Sequence, residues 1–288
     1  MVSGALILPS KDNLFIFLKK RSSKLIVPTI CWTVIYLTLD FVFHEYHFNA
    51  ASVTYRILSS LFSPQGHGIL WYMYALMGFY LVVPIISPWL RNATLKELLY
   101  CVILILLAFS IPYIALILDV GRGPQSNLFY FSGFGGYFIL GYFLHNNPNV
   151  ISMKLASLGM IISVVLPVII KISNIEVDYF SLFWYLSLPV AAMCIFWFKG
   201  IQRFSKYFDR LSINTKRIIS LLSSYSFGIY LCHILFMKYL VKRLDFIQNT
   251  TNAAVQTALI FIITLACSLI FVIFISKTKL GRYLFATK

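Results

Sequence analysis

The sequence is short of charge. Of its 288 residues only 11% are Asp, Glu, Lys or Arg, and only nine are Asp or Glu. A soluble domain carries about 25% charged residues, so a water-facing globular surface is excluded. Metal-type cysteine spacing is missing too. The five cysteines (Cys31, Cys101, Cys194, Cys232 and Cys267) each sit inside an apolar stretch and read as small buried hydrophobes. Neither a disulfide framework nor a metal site is expected. No basic region precedes the apolar MVSGALIL at the start, so no cleavable signal peptide is visible. Long apolar stretches carry little Gly or Pro punctuation, which excludes the alternating ten-residue strands of a membrane barrel and leaves helices.

What is there is hydrophobic: 60% of residues, with a mean hydropathy of +0.84. Eight segments are long enough to span a bilayer, at about 25–43, 69–90, 98–118, 128–145, 151–172, 180–198, 221–241 and 254–276. Aromatics at segment ends, such as Phe180, Phe183 and Trp184, suit an interfacial belt. The expected fold is all-α: a polytopic transmembrane helical bundle of about eight spans, multi-pass in the inner or plasma membrane. With no soluble domain appended and no repeat evident, residues 1–288 read as a single membrane-embedded domain.

The net charge of +15 raises a nucleic-acid partner, and counting removes it. One alternating set of loops holds 18 of the 24 Lys and Arg residues and the other set holds 6. Such a bias places both termini in the cytoplasm. The positive charge is orientation in a lipid bilayer.

Polar residues inside apolar helices are the candidates for chemistry. His233 is the sharpest of these. Ser226, Tyr230 and His233 are spaced 4 and 3 apart, so one helix face presents all three; the plainer alternative is a neutral histidine satisfied in helix packing. Trp71, Tyr72 and Tyr74 fall near the outer mouth, where stacking on a sugar face and an interfacial belt predict the same residues. Asp40 is followed by a short HEYH run (His44, Glu45, His47), whose histidines suit a metal only if helical; a solvated loop is the plainer reading. The Gly-rich SGFGGYFILGYFL is no phosphate loop, since no strand precedes it and no Lys follows. Small residues there allow close helix packing.

Three stretches together resemble the acyltransferase 3 family of integral membrane enzymes, which O-acylate carbohydrates. They are SGALIL with FLKKRSSKLIVP and Trp32; LWYMYALMGFYLVVPIISPWL; and LSSYSFGIYLCHILF, which matches a Ser-x-Gly-x-Tyr-x-x-His signature through Ser226, Gly228, Tyr230 and His233. The resemblance covers essentially the whole chain. It implies an enzyme moving an acyl group, usually acetyl, from acyl-CoA to a hydroxyl of a cell-surface or lipid-linked glycan. Acyl-CoA is then a donor substrate, and no bound cofactor or nucleic-acid partner is implied.

The same resemblance assigns roles. Arg21 and Lys24 fall on the family's Arg-x-x-Arg pattern, and with Lys19 and Lys20 they form a cationic mouth for the CoA phosphates; a basic run that only fixes topology is the plainer reading. Lys at the second position keeps the charge but loses the planar fork. His233 would be the catalytic residue, with Trp71, Tyr72, Tyr230 and Ser226 lining the substrate path. Against this, MVSGALIL resembles the tail of the family's second helix, so the first helix, with its usual Arg and catalytic His, is expected to be missing and the chain impaired; the plainer alternative is that Met1–Leu8 is a genuine interfacial N-terminus of a compact variant. The His that often precedes the family's Leu-Trp pair is Ile69 here, with His67 two residues earlier. The other function class is a non-catalytic transporter, flippase or remnant for lipid-linked sugars, which calls for mid-bilayer charge pairs or inverted repeats; the sequence shows neither.

Overall fold

The computed structural model describes residues 1–44, 54–55, 70–117, 133–173 and 179–285. Glu45, His47, Arg56, His67, Ile69 and Arg122 lie outside the described residues, as do the side chains of Asp40, His44, Phe180 and Arg282. Every described element is helical. In chain order the helices are α1 Val2–Ile7, α2 Leu14–His44, α3 Trp71–Asn92, α4 Leu95–Ile117, α5 Phe134–Asn146, α6 Met153–Ile172, α7 Tyr179–Leu182, α8 Leu188–Phe204, α9 Ile213–Tyr239, α10 Asp245–Gln248, α11 Ala253–Ser276 and α12 Lys279–Phe285. Short 3-10 turns at Ser205–Arg210 and Val241–Arg243 flank α9.

Among the described residues, five helices are long and apolar enough to cross a membrane: Leu14–Leu39, Trp71–Asn92, Met153–Ile172, Ile213–Arg243 and Ala253–Ser276. Lipid is the solvent their surfaces require. On α6, Leu158, Ile161, Ile162, Val165, Val168 and Ile169 are all exposed, an apolar face too continuous for water. Its 20 residues rise about 30 Å, one hydrocarbon thickness.

Three expected segments take a different form. The span expected at 25–43 starts eleven residues earlier, at Leu14, because nothing between Leu14 and Val27 breaks a helix and Lys, Arg and Leu favour one. The basic run therefore rides on helical turns. Likewise α9 starts at Ile213, not near 221, since the Ser212 hydroxyl accepts the Thr215 N–H and caps it there. The segment at 180–198 is broken. A four-residue α7 stops before Ser187, whose hydroxyl accepts from Val190 N–H and, with Pro189 in the first turn, launches α8 through to Phe204.

The chain divides into two compact units: Met1–Asp12 with Val82–Leu211, and Asn13–Leu81 with Ser212–Lys288. In the first, α1 lies on α5 with backbone touching backbone. A Cβ placed at Gly4 would fall on the Phe138 carbonyl, and one at Gly141 on the Met1 carbonyl. The apolar stub is thus a packing element, and the Gly-rich run is the surface that receives it. Gly159 and Gly200 do the same for α6 and α8, meeting Phe196 and Met160.

The second unit closes around α12. Phe285 sits between Trp32 and Phe271, with ring centroids 5.8 and 6.2 Å away, and the Trp32 indole N–H donates to Leu284 O at 3.2 Å. Tyr36, fully buried, donates to Leu231 O at 2.7 Å. Gly228 lets α9 approach Val272 and Phe285.

Candidate active site

All the residues to which the resemblance gives a catalytic or binding role fall in the second unit, on α2, α3 and α9. The helices bring four of them together. Trp71 and Tyr72 open α3, with ring centroids 6.0 Å apart, and Tyr72 meets Tyr230 edge-on at 5.6 Å. The Tyr230 phenol lies against the backbone of Tyr72 and Met73, at the start of α3 where helical N–H groups have no partner within the helix. One turn along α9, the His233 ring lies 5.9 Å from the Tyr230 ring.

The histidine's tautomer follows from its neighbour. His233 Nδ1 is 2.7 Å from the Tyr230 carbonyl oxygen. A carbonyl oxygen only accepts, so in the neutral ring the proton sits on Nδ1 and the lone pair on Nε2. Nε2 makes no hydrogen bond to any described residue. An imidazole oriented through one nitrogen with a basic second nitrogen is the arrangement of a general base.

Ser226 does not join this cluster. Its hydroxyl is exposed and donates to Ser223 O, 2.8 Å away on its own helix. The cationic residues occupy a separate level. Arg21 is half-buried, its Nε buried without a hydrogen-bond partner among the described residues, and the buried Tyr80 phenol is its electrostatic and hydrogen-bonding neighbour. Phe17 packs edge-on against Tyr80 at 5.9 Å. Lys20 and Lys24 are exposed. Tyr80 follows Tyr72 by eight positions, so the Arg21 level is about 12 Å along α3 from the aromatic–imidazole cluster.

A family model described as an acyltransferase domain, Acyl_transf_3, matches residues 1–273. The chain belongs to the acyltransferase 3 family. It is a membrane acyltransferase-family protein, and acyl transfer in general is the activity this membership implies. Neither the curated proteins nor the solved structures gave a match. Among the described residues no group of three His, Cys, Asp or Glu is placed to hold a metal ion, and all five cysteines are free thiols.

Two buried polar arrangements, one beside the site and one in the first unit, were not legible in the sequence. Tyr80, Arg21's neighbour, is hidden among the eighteen tyrosines, and only the α2–α3 pairing singles it out. Lys199 counted only as a loop charge, yet it is completely buried in the first unit. Its ammonium donates to Leu144 O, Asn147 O and Gln202 Oε1 at 3.0, 3.1 and 3.0 Å. A lone Lys between Phe198 and Gly200 at the end of an apolar run was the available signal.

Proposed function

We propose that this protein is a membrane-bound O-acyltransferase that moves an acyl group, acetyl foremost, from acyl-CoA to a hydroxyl of a cell-surface or lipid-linked glycan, the impairment expected from the family resemblance being relieved by His233 acting as the base. Family membership supports acyl transfer in general; His233 supports the assignment of a base. Its Nε2 takes the acceptor hydroxyl proton as the oxygen attacks the thioester carbonyl. The C–S bond breaks, and the departing CoA thiolate receives the proton from the imidazolium. Tyr72 and Trp71 offer ring faces to the acceptor sugar. Arg21, with Lys20 and Lys24, meets the donor phosphates, and the 12 Å offset along α3 suits a donor whose phosphates and thioester lie at opposite ends of a long arm.

The observation that carries this reading is the oriented imidazole: Nδ1 held by Tyr230 O, and Nε2 hydrogen-bonded to no described residue. The test is acetyl transfer from acetyl-CoA in membranes bearing the full chain, with product read by mass spectrometry. His233→Ala is expected to lower kcat by about 100-fold or more, while Arg21→Gln raises KM for the donor and largely spares kcat. Unchanged turnover in His233→Ala, at unchanged expression, overturns the assignment.

A further inference from the structure

The first unit carries a groove of about 780 Å³, used by nothing described so far. Its floor is Ile105 of α4 and Gly136 of α5, both buried, and Leu104 and Ile139 form its half-buried walls. A Cβ at Gly136 would lie 2.8 Å from Ile105 Cγ2, so the missing side chain is part of what keeps the groove deep. Exposed Trp89 and Tyr100 form the rim, and Lys96 stands at one end. Residues 97, 100, 101, 104 and 105 repeat at helical spacing, so the groove runs along one face of α4.

Two charged residues stand side by side at one end, with different commitments. Glu97 is committed: its Oε2 accepts from Thr94 N–H at 2.6 Å and from the Thr94 hydroxyl at 2.8 Å, closing a capping box. Lys96 has no hydrogen-bond or ion-pair partner among the described residues. The result is a long apolar trough with an ammonium that makes no hydrogen bond to a described residue beside a hydrogen-bonded carboxylate at its mouth, flanked by amphipathic aromatics, in a chain whose helix α6 exposes an unbroken apolar face. One molecule of the surrounding solvent has that polarity, an acyl chain ending in a phosphate.

We propose that this groove is a binding site for a glycerophospholipid, with one acyl chain lying over Ile105 and Gly136 and the headgroup phosphate on the Lys96 ammonium. The site lies wholly within the first unit and does not depend on the acyl-transfer chemistry. It differs from ordinary lipid contact in having a floor, walls and a charged end, whereas the face of α6 has none of these.

The experiment uses the full chain in anionic phospholipid nanodiscs carrying a phosphatidylglycerol with a mid-chain diazirine. After photolysis, labelled peptides are mapped by mass spectrometry. The peptides holding Leu104 and Ile139 are expected to be labelled several-fold above the α6 peptide holding Leu158, Ile161 and Ile162. A Lys near an anionic headgroup is worth about 1 kcal/mol, so Lys96→Glu is expected to cut the excess by about five-fold or more and leave α6 labelling unchanged. Leu104→Trp, which fills the trough from an already half-exposed position, is expected to abolish the excess. Equal labelling of groove and α6, or an excess surviving both substitutions, overturns the proposal. Displacement of the label by an equimolar polyprenyl phosphate also overturns it, by giving the groove to a different lipid class.

Discussion

At the scale of single residues, the largest commitment is one buried ammonium. Lys199 reaches the last turn of α5, where helical carbonyls lack partners and the helix dipole is negative. Its own helix neighbours finish the job: Gln202 Nε2 donates to His145 O, and Arg203 donates to Pro148 O and Ile151 O. Three side chains of α8 thus hold the whole α5–α6 turn. Replacing Lys199 by Met keeps the length and relieves the cost of burying a charge, but takes the ammonium donor from Leu144 O and Gln202 Oε1 and leaves Asn147 O only the long bond from Val150 N–H. The second effect is expected to win, by about 1–3 kcal/mol, read as a lowered thermal midpoint in detergent; an unchanged midpoint would mean that charge burial cancels the clamp. Glu97 gives a residue-scale pH effect. The Thr94 N–H and hydroxyl hold its exposed carboxyl below the usual glutamate range. A depressed carboxylate pKa stabilises the fold above the unfolded value and stops doing so as pH falls through the folded one. Amide protection at the start of α4 is therefore expected to fall as pH drops below the usual glutamate range, and Glu97→Gln should show that lower protection already at neutral pH.

Elements show why some of the fold could be read in advance and some could not. Apolar length located α3, α4, α6 and α11 to within a few residues, because in lipid a helix must satisfy its own backbone and length alone identifies it. Position within the chain could not reveal that Ser187 and Pro189 restart a helix in the middle of an expected span, since both residues also occur inside membrane helices. The same holds for the site: the 4–3 spacing placed Ser226, Tyr230 and His233 on one face, but only packing decides that Tyr72 meets Tyr230 and that Ser226 bonds back to Ser223. The α1–α5 contact was foreshadowed by glycines whose partner had no signature. Gly4→Val and Gly141→Leu each force side-chain atoms onto a carbonyl of the opposing backbone, which cannot rotate away. Overpacking of this kind costs about 1–3 kcal/mol. Gly78, inside α3 with nothing within 4 Å of an added Cβ, is the control: Gly78→Ala should hold or raise the thermal midpoint, while both substitutions at the contact lower it.

For the molecule as a whole, the open quantity is its direction across the bilayer. The loop bias of 18 basic residues to 6 favours a cytoplasmic α8–α9 junction, with Lys206 and Arg210 in the turn and Lys216 and Arg217 at the start of α9. The minority charges at the opposite ends are partly engaged by aromatic faces: the Arg243 guanidinium lies 4.7 Å over the Phe43 ring, and the Lys238 ammonium lies 5.0 Å from the Tyr239 ring and 3.3 Å from its hydroxyl. Contacts of this sort anchor a helix end at an interface without setting its orientation. The expectation is that a fluorescent reporter inserted after Asp209 reads cytoplasmic and a phosphatase inserted after Asn249 reads external, because the whole of α9 separates the two points. Neutralising the α8–α9 cluster to Gln leaves the remaining bias with fewer votes, so the same reporters should then show a mixed population. Removing Arg243 and Lys238 should instead sharpen the original orientation. If both reporters gave the opposite result, the cationic end of α2 that holds Arg21 would face outward. The donor phosphates would then have to approach from a compartment without acyl-CoA, and acyl-CoA could no longer serve as the donor at Arg21.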